Sequence, residues 1–346
     1  MSGSNITEKF EYLTDVITSY DGHEQRLKLR QYPRHFVSYD YPSMDCFQAQ
    51  WLRGMGRIRQ SDTYYIPMWH NPVYLSESHI AGRALYILPE CMLSLENCEW
   101  IEIFVKDDVN QQGVNKICKV RKYTDSVIGL QNPIDEFLYT KNTFIYPLRK
   151  CSVQPVSNLQ YIYSNGTNIT HNFEDLLDVP SDMPIPDKYI SEYEDYKQRN
   201  RWKLPELLDG RQVLTISPTW VDDNSVSLSI DKAVNKLDNY TGLFKYDLRN
   251  TKTYDIHTLE ISLIYKQAIN NMIRFFKRVC GKYKSFYAPT WVNDIQISHN
   301  IIVGTNYVYT KWNLIYQFYL SNRRNKKLVI FTKDWNSYIL DILTYS

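Results

Sequence analysis

Short stretches along much of the chain alternate apolar and polar residues, which is the pattern of half-buried β-strands. Five such stretches follow one another between Ile80 and Val153, and Asp, Asn and Gly residues typical of turns separate them. They read RALYILP, EWIEIFVKD, KICKVRKYTD, SVIGLQN and TFIYPLRK. Four similar stretches near the C-terminus read IIVGTNYVYT, IYQFYLS, KLVIFTKD and SYILDILTY. The first group predicts a small antiparallel barrel or sandwich, and the second predicts further strands.

Two other segments place apolar residues at the spacing of an amphipathic helix. The apolar positions are Phe47, Trp51, Met55 and Ile58 in the first segment and Ile264, Ala268, Met272, Phe275 and Val279 in the second. Each segment predicts a helix whose apolar stripe packs on a sheet. Gly54 or Gly56, followed by Arg57, indicates the end of the first helix. Gly281 with Lys282 indicates the end of the second, because glycine accepts the left-handed conformation of a helix cap.

A motif of the form Y-x-P-x-W-x-N follows each predicted helix. Its residues are Tyr65, Pro67, Trp69 and Asn71 in the first copy and Tyr287, Pro289, Trp291 and Asn293 in the second. An extended stretch precedes each helix, at His23–Tyr41 and at Phe244–Ser262. The shared order of strand, helix and Pro/Trp motif predicts an internal duplication.

The segment between the two copies differs from both in composition, and it has no long apolar period. It carries the prolines Pro180, Pro184, Pro186 and Pro205 and the acids Glu174, Asp175, Asp178, Asp182, Asp187, Glu192, Glu194 and Asp195. Two interpretations stay open. The segment is either a solvated linker or an acidic arm that embraces a neighbouring subunit.

A chain of 346 residues is long enough for two ordinary domains. The patterns predict an α+β fold, mainly antiparallel β, with two related strand–helix–strand units, the first carrying an inserted small β-barrel-like domain. We assign residues 1–78 to the first unit, 79–155 to the small β-barrel or sandwich, 156–212 to the acidic, proline-containing connector, and 213–346 to the second related unit with its C-terminal strands.

Composition narrows the function classes. The net charge is +2, and 40 basic residues are dispersed among 38 acids, so no large field favours nucleic acid or an anionic membrane. This argues against a dominant DNA-binding role. No stretch reaches the roughly 18 apolar residues of a membrane span, and the start lacks an apolar signal core. We therefore expect no stable membrane span and folding in a cytoplasm. The 29 tyrosines suit strands and protein interfaces.

The usual motifs of catalysis and metal binding are missing from the sequence. The six cysteines, which we expect to be reduced thiols, show neither C-x-x-C nor zinc spacing, and no hydrolase, zincin or nucleotide-binding motif occurs. No neighbouring motif supplies His70 with a nucleophile or a partner. We therefore predict no enzyme activity, no catalytic residue, no metal and no cofactor. A glycan-cleaving pair of carboxylates remote in sequence stays open, although Glu99, Glu102 and Asp107 are better explained as strand-face and turn residues.

The densest polar cluster near a predicted strand comprises Glu24, Gln25, Arg26, Arg30 and Arg34. In an interface these side chains could make charge-assisted, bidentate hydrogen bonds that fix the register of a neighbour. A solvent face with a Glu–Arg pair inside the domain is the alternative. Trp69 and Trp291 are further interface candidates, and a position in the core or at a domain corner is the alternative for both.

The run D-G-H-E-Q-R-L-K-L-R-Q-Y-P-R, from Asp21 to Arg34, resembles the start of bacteriophage minor tail proteins of the distal-tail and baseplate-hub group. In that group a G-x-E-Q-R stretch precedes a strand and a Pro-Arg pair, and a helix, a small barrel and a second related unit follow. Here Trp100 to Val105 is similar to the W-x-x-I/V-type strand of the barrel, and Pro147-Leu148 is similar to a P-L strand end. The likeness covers most of the chain in architecture but only short stretches in letters.

The resemblance implies a structural protein of the virion, located at the tip of a long phage tail and assembled in the host cytoplasm. Such a protein forms a ring of three or six copies, through whose lumen nucleic acid could pass. It joins the tail tube and tape measure to the hub and to receptor-binding fibres or their adaptors. The chain lacks a peptidase or lysozyme extension and a fibre repeat, which leaves its layer in the tip open. A carbohydrate- or receptor-binding or cell-wall-cleaving tail protein is the alternative.

Overall fold

A computed structural model defines the fold of the chain over residues 5–19, 23–30, 32–44, 46–58, 62–88, 91, 95, 98–106, 113–124, 126–154, 158–163, 166–176, 207–214, 216–219, 226–238, 240, 242, 244–264, 266–292, 294–302, 304–311, 327–332 and 337–342. Two compact units divide the chain. The first comprises Met1–Leu13 and Arg30–Pro184, and the second comprises Thr14–Leu29 and Ile185–Ser346. Strands dominate both, and the named strands described here pair antiparallel, which confirms the predicted mainly antiparallel β character.

In chain order the elements are β1 (Ile6–Glu11), β2 (Thr14–Thr18), β3 (Glu24–Lys28), β4 (Arg34–Met44), α1 (Cys46–Ile58), β5 (Thr63–Pro67), β6 (Val73–Tyr74), β7 (Gly82–Tyr86), β8 (Trp100–Lys106), β9 (Gly113–Thr124), β10 (Val127–Ile134), β11 (Thr143–Val153), β12 (Asn158–Tyr163), β13 (Gly166–Asp175), β14 (Leu207–Leu208), β15 (Arg211–Gln212), β16 (Val226–Asp238), β17 (Phe244–Leu259), α2 (Lys266–Val279), β18 (Lys327–Phe331) and β19 (Ser337–Asp341). The five stretches predicted to be strands between Ile80 and Val153 correspond to β7 to β11.

An 11-stranded sheet forms the first unit. Its order is β1-β4-β13-β11-β8-β9-β10-β7, with β12 beside β13 and with β5 and β6 beside β11. The alternation in the sequence is visible in β8, where Ile101 and Ile103 are buried and the residues between them are half-buried. The largest core cluster joins such positions from β6 to β11 with Cys91, Leu95, Cys98 and Leu138 between the strands. A second cluster, near β4 and β13, contains Val37, Tyr39, Met68, Cys151 and Phe173.

This sheet crosses the domain boundaries expected from the sequence. β5 and β6 precede residue 78 and pair with β11, which follows it. β12 and β13 lie inside the segment predicted to be a connector, and β13 pairs with β4 and β11. Residues 177–206 of that segment lie outside the described residues. Pro147 and Leu148 lie within β11 and not at a strand end.

The described strands of the second unit form four separate two-stranded ribbons: β2–β3, β14–β15, β16–β17 and β18–β19. Its core cluster is small and contains Leu214, Phe275 and Val279. Lys327 on β18 connects two ribbons, because its Nζ lies 2.7 Å from Asp341 Oδ1 and 2.9 Å from Asp209 Oδ2. The last two C-terminal stretches predicted as strands are confirmed as β18 and β19. In IIVGTNYVYT the described residues 301–302 and 304–309 are irregular, whereas IYQFYLS lies outside the described residues.

Both predicted helices are present, but they differ in packing. In α2 the residues Ala268, Phe275 and Val279 are buried, as expected, whereas Ile264 precedes the helix and is exposed. α2 ends at Val279 and is followed by Gly281 in the left-handed region, φ 64°, which confirms its predicted end.

The packing expected for α1 is wrong at two positions, since Phe47 is 79% and Trp51 60% exposed. α1 lies beside β13 and leaves both aromatic rings in solvent. Its predicted end is wrong as well, because the helix continues through Gly54 and Gly56 to Ile58. Glycine lowers helix stability by only about 1 kcal/mol per residue, which the rest of a helix can offset.

Candidate functional site

The polar cluster predicted as an interface is divided between the two units. Glu24, Gln25 and Arg26 lie on β3 in the second unit, on the exposed β2–β3 ribbon. Arg26 Nη2 lies 2.6 Å from Glu24 Oε2, and its Nη1 donates a hydrogen bond of 2.8 Å to the carbonyl of Lys282. The Glu–Arg pair expected under the alternative interpretation is therefore formed within this unit. The interface role of the three residues stays a prediction.

Arg30 and Arg34 belong to the first unit. Arg30 Nη1 donates a hydrogen bond of 3.3 Å to the carbonyl of Glu11 at the end of β1. Arg34 begins β4, and its Nε lies 3.3 Å from Glu174 Oε1 on β13. The side chain of Arg34 is more than half exposed, so this pair contributes little stability in water. Both arginines remain candidates for an outside contact.

Trp69 and Trp291 are each half-buried inside their own unit. The Trp69 ring lies 5.1 Å from the Tyr39 ring and 6.4 Å from the Tyr41 ring. The Trp291 ring stacks on Phe331 with centroids 5.9 Å apart. These contacts match the core or corner position that was the alternative for both tryptophans. A hot-spot role for either one is not tested by this packing.

A buried ionic cluster, which no sequence motif indicated, joins three strands of the first unit. His35 on β4 places Nε2 2.7 Å from Glu8 Oε1 on β1 and Nδ1 3.1 Å from Asp175 Oδ2 on β13. Phe10 stacks on the imidazole with ring centroids 4.6 Å apart. His70 Nε2 lies 3.3 Å from the other oxygen of Glu8, close enough for an ion pair though not aligned for a hydrogen bond. We call Glu8, His35, His70 and Asp175 the ionic cluster.

Opposite charges stabilise each other in the ionic cluster. Burial alone would raise the pKa of Glu8, but the contacts with His35 and His70 outweigh it and hold this pKa well below the ordinary glutamate value. Burial likewise opposes the protonation of His35, but its hydrogen bonds to Asp175 and Glu8, and their charges, raise its pKa. His35 is therefore an imidazolium over a wider pH range than a free histidine, with both ring nitrogens donating.

The chemistry that the ionic cluster can perform follows from this geometry. A general base needs an unoccupied nitrogen within reach of a substrate proton. Both nitrogens of His35 face carboxylates, and its side chain is 8% exposed. His35 therefore links β1, β4 and β13 and has no unoccupied nitrogen with which to abstract a proton. Nearby, burial raises the pKa of Cys151 to about 12, so this thiol is not a nucleophile at neutral pH.

One signal in the sequence could have indicated His35. In β4 the buried positions alternate, and His35 shares the buried face with Val37 and Tyr39. A histidine at a core position of a strand needs a polar partner. Its partners are 27 and 140 residues away in the chain, however, so no local motif could name them.

Large apolar side chains are exposed elsewhere. The ribbon β16–β17 has strands of 13 and 16 residues that pair with no third strand among the described residues. Its exposed apolar side chains are Leu228, Ile230, Val234, Leu237, Phe244, Tyr246 and Ile256. In the first unit the exposed rings of Phe137 and Tyr139 lie 4.4 Å apart. These surfaces, together with α1, are the candidate contact surfaces of the chain.

Over the part of the chain that the structure describes, no group of three or more His, Cys, Asp or Glu side chains is arranged to hold a metal ion. Among the described helices, none has the length and apolar character needed to cross a membrane. Comparison with protein-family models and with curated protein sequences found no match.

Proposed function

We propose that this chain is a structural, non-enzymatic component of a bacteriophage tail tip, of the distal-tail or baseplate-hub type. It assembles with copies of itself into a ring that links the tail tube and tape measure to the hub and to receptor-binding fibres or adaptors. Its location is the virion, and its assembly takes place in the host cytoplasm. The resemblance of Asp21–Arg34 to minor tail proteins supports the class of protein.

The observation that carries the assembly role is the apolar surface of the β16–β17 ribbon. A two-stranded ribbon has little stability of its own in water. Ile230 on this ribbon is 69% exposed, and six further large apolar side chains of the ribbon are exposed. The register places Leu228 and Ile230 on one face of the ribbon and Ile256, opposite Ser229, on the other. Exposed apolar surface of this extent marks a protein contact more often than a free surface. Stable assemblies bury well over ~1,000 Å², and this ribbon offers a long surface for that purpose.

The finer fold prediction belongs to the same proposal. We propose that the two strand–helix–strand units arose by duplication and that β7–β11 form the inserted small β-domain. In support, α1 and α2 are each followed by a Y-x-P-x-W-x-N motif. Tyr65 of the first copy lies on β5, and Tyr287 of the second forms a bridge with Val213.

The test is the solution mass and negative-stain appearance of the purified full chain, alone and with its neighbouring tail proteins. Rings of three or six copies, or incorporation into tail-tip particles, are expected. A stable monomer that never enters such particles would contradict the proposal.

A second function is favoured by one observation. The exposed rings of Phe137 and Tyr139 form an aromatic pair on the first unit, and exposed rings are the usual platform for sugar faces. Under this alternative the chain is a carbohydrate- or receptor-binding tail protein. Binding of host cell-wall glycan by the wild-type chain, lost in Phe137→Ala/Tyr139→Ala, would support it, whereas equal binding by both proteins would count against this surface.

A further inference from the structure

Residues 296–311 of the second unit form a loop with two short arms and a turn between them. Ile297 on the first arm forms an antiparallel bridge with Thr310 on the second. The turn closes at Ile302, whose carbonyl accepts a hydrogen bond of 3.2 Å from the N–H of Thr305. Ile302 therefore lies at the end of the loop that is remote from the bridge. We call residues 296–311 the apolar loop.

The side chains of the apolar loop change in character from its turn to its base. Ile301 and Ile302, which form its tip, are exposed, and Ile302 is exposed over 70% of its surface. Tyr307 and Tyr309 follow on the second arm and are exposed as well. Lys311 ends this arm and is also exposed. The loop thus presents aliphatic groups first, then phenol rings, and then a positive charge.

The apolar loop lies in a part of the sequence that contains no acid. No Asp or Glu occurs between Asp294 and Asp334. The bases of this stretch are Lys311, Arg323, Arg324, Lys326, Lys327 and Lys333. The net charge of +2 is therefore unevenly distributed along the chain, and the loop carries no charge that an anionic surface would repel.

This order of side chains matches the depth profile of a bilayer surface. Aliphatic groups favour the acyl chains, tyrosine rings lie at the level of the headgroups, and lysine extends its charge toward the phosphates. A protein partner fits the loop less well. Stable protein contacts bury roughly 800 Å² on each partner, which a single turn cannot supply, whereas interfacial insertion into lipid uses only the apolar tip.

We propose that the apolar loop inserts its tip into the surface of an anionic lipid bilayer. The insertion is shallow, because the turn has irregular backbone whose polar groups would lack partners in the hydrocarbon core. Ile301 and Ile302 enter the boundary between headgroups and acyl chains, and Lys311 pairs with lipid phosphate. The inference goes beyond the proposed tail-tip role, because the partner is lipid and not another protein.

Flotation of the full chain with lipid vesicles tests the proposal. The wild type should float with vesicles of phosphatidylcholine and phosphatidylglycerol. Ile301→Ser/Ile302→Ser should bind them roughly ten-fold or more weakly, because less apolar surface leaves water on insertion. Vesicles of phosphatidylcholine alone should bind the wild type more weakly, since Lys311 then meets no net negative charge.

The control removes two exposed aliphatic side chains from another surface. Val114 and Ile117 on β9 are exposed to an extent similar to the loop tip, so Val114→Ser/Ile117→Ser should bind vesicles like the wild type. A tryptophan at the tip reports its depth. Bromine-labelled acyl chains should quench the added fluorescence of Ile302→Trp more strongly than that of Val114→Trp.

Several outcomes would overturn the lipid partner. A wild type that does not float would do so, and so would equal binding by the wild type and Ile301→Ser/Ile302→Ser. If the wild type binds no vesicles and this variant fails to enter tail-tip particles, the loop contacts a protein. Wild-type rings without lipid binding would overturn the inference and leave the proposed function standing. Lipid binding through the tip by a monomer that enters no tail-tip particle would support the inference and overturn the proposed function.

Discussion

His35 makes the ionic contacts that link three strands of the first unit. It bridges carboxylates on β1 and β13 from its own position on β4, so three neighbouring strands share one positive charge. β1 pairs with no second strand among the described residues. The His35–Glu8 contact therefore adds a side-chain link where the backbone pairing is one-sided.

Replacing His35 with glutamine should lower the stability of the first unit by about 3 kcal/mol, because Asp175 would lose its imidazolium partner and Glu8 would keep only the contact with His70. The measurement is urea unfolding of the full chain followed by tryptophan fluorescence and circular dichroism. His171→Gln is the matched control. His171 is also buried on this sheet, but burial lowers its pKa, so it supplies no charge there. An unchanged unfolding midpoint in His35→Gln would show that the bridge contributes nothing.

The pH dependence of stability should have a maximum set by the ionic cluster. The pKa of His35 is raised in the folded chain, so its contribution is complete below about pH 6.5 and is lost as pH rises through the folded value. The pKa of Glu8 is lowered, so its contribution is complete above about pH 4.5 and is lost as pH falls. Both contributions are therefore complete between these two values.

Thermal unfolding across a pH series checks this prediction. The wild type should lose stability above neutral pH through the His35 contribution, and His35→Gln should lose this alkaline decline. Glu8→Gln should make the stability of the chain less dependent on pH below about pH 4.5. A wild-type alkaline decline that persists unchanged in His35→Gln would assign it to another group.

At the scale of elements, one glycine inside α1 and one just after α2 have different backbone conformations. Gly54 lies inside α1, and the position that an alanine Cβ would take there has no neighbouring atom within 4 Å, whereas Gly281 follows α2 with φ 64°. Alanine suits a helix interior better than glycine, but it is strained in the left-handed region. The same substitution should therefore have opposite effects at the two positions.

Gly54→Ala should stabilise the first unit by about 0.5–1 kcal/mol, and Gly281→Ala should destabilise the second by about 1 kcal/mol. Each variant serves as the control for the other. Denaturant unfolding with a probe in each unit measures both changes. Destabilisation by Gly54→Ala would mean that α1 does not persist as a helix through Gly54 in solution.

The sequence patterns predict the helices and strands themselves better than they predict which elements lie next to each other in the fold. Alternation identified β7 to β11, and apolar spacing with Gly281 identified α2 and its end, because these signals are local. The pattern of α1 predicts a packed stripe, yet Phe47 and Trp51 are exposed. Spacing indicates that a face is apolar but not what covers it. A face that another molecule covers has the same pattern as one that packs in its own core.

The same limit applied to the predicted sites. Glu24 and Arg26 are close together on β3, so their pairing followed from the sequence. Arg34 meets Glu174, 140 positions away in the chain, and this pairing depends on the register of β4 and β13. The pairing of β5 with β11, across the boundary predicted at residue 78, depends on the sheet in the same way. Pairing between distant strands is set by the whole sheet and leaves no local signature.

At the scale of the whole molecule, the two units differ in how they satisfy their apolar residues. The first unit buries them in an 11-stranded sheet with two core clusters, whereas the described part of the second unit has four two-stranded ribbons, one helix and one small core cluster. Exposed apolar surface of this extent is typical of sites that contact another protein. Under the proposed function, assembly supplies the missing cover.

The β16–β17 ribbon permits a direct test of that view. Leu228 and Ile230 project from one face of β16, and Ser227 and Ser229 project from the other. Leu228→Ser/Ile230→Ser should change the unfolding free energy by no more than about 0.5 kcal/mol, because both side chains are already exposed. If other copies or tail proteins cover this face, light scattering should show a lower assembly mass for the same variant.

Ser227→Ala/Ser229→Ala, on the opposite face, is the control and should assemble normally. Rings of wild-type mass formed by the Leu228/Ile230 variant would show that this ribbon stays in solvent and that assembly uses other surfaces, whereas loss of mass with unchanged stability can only come from a contact outside the single chain.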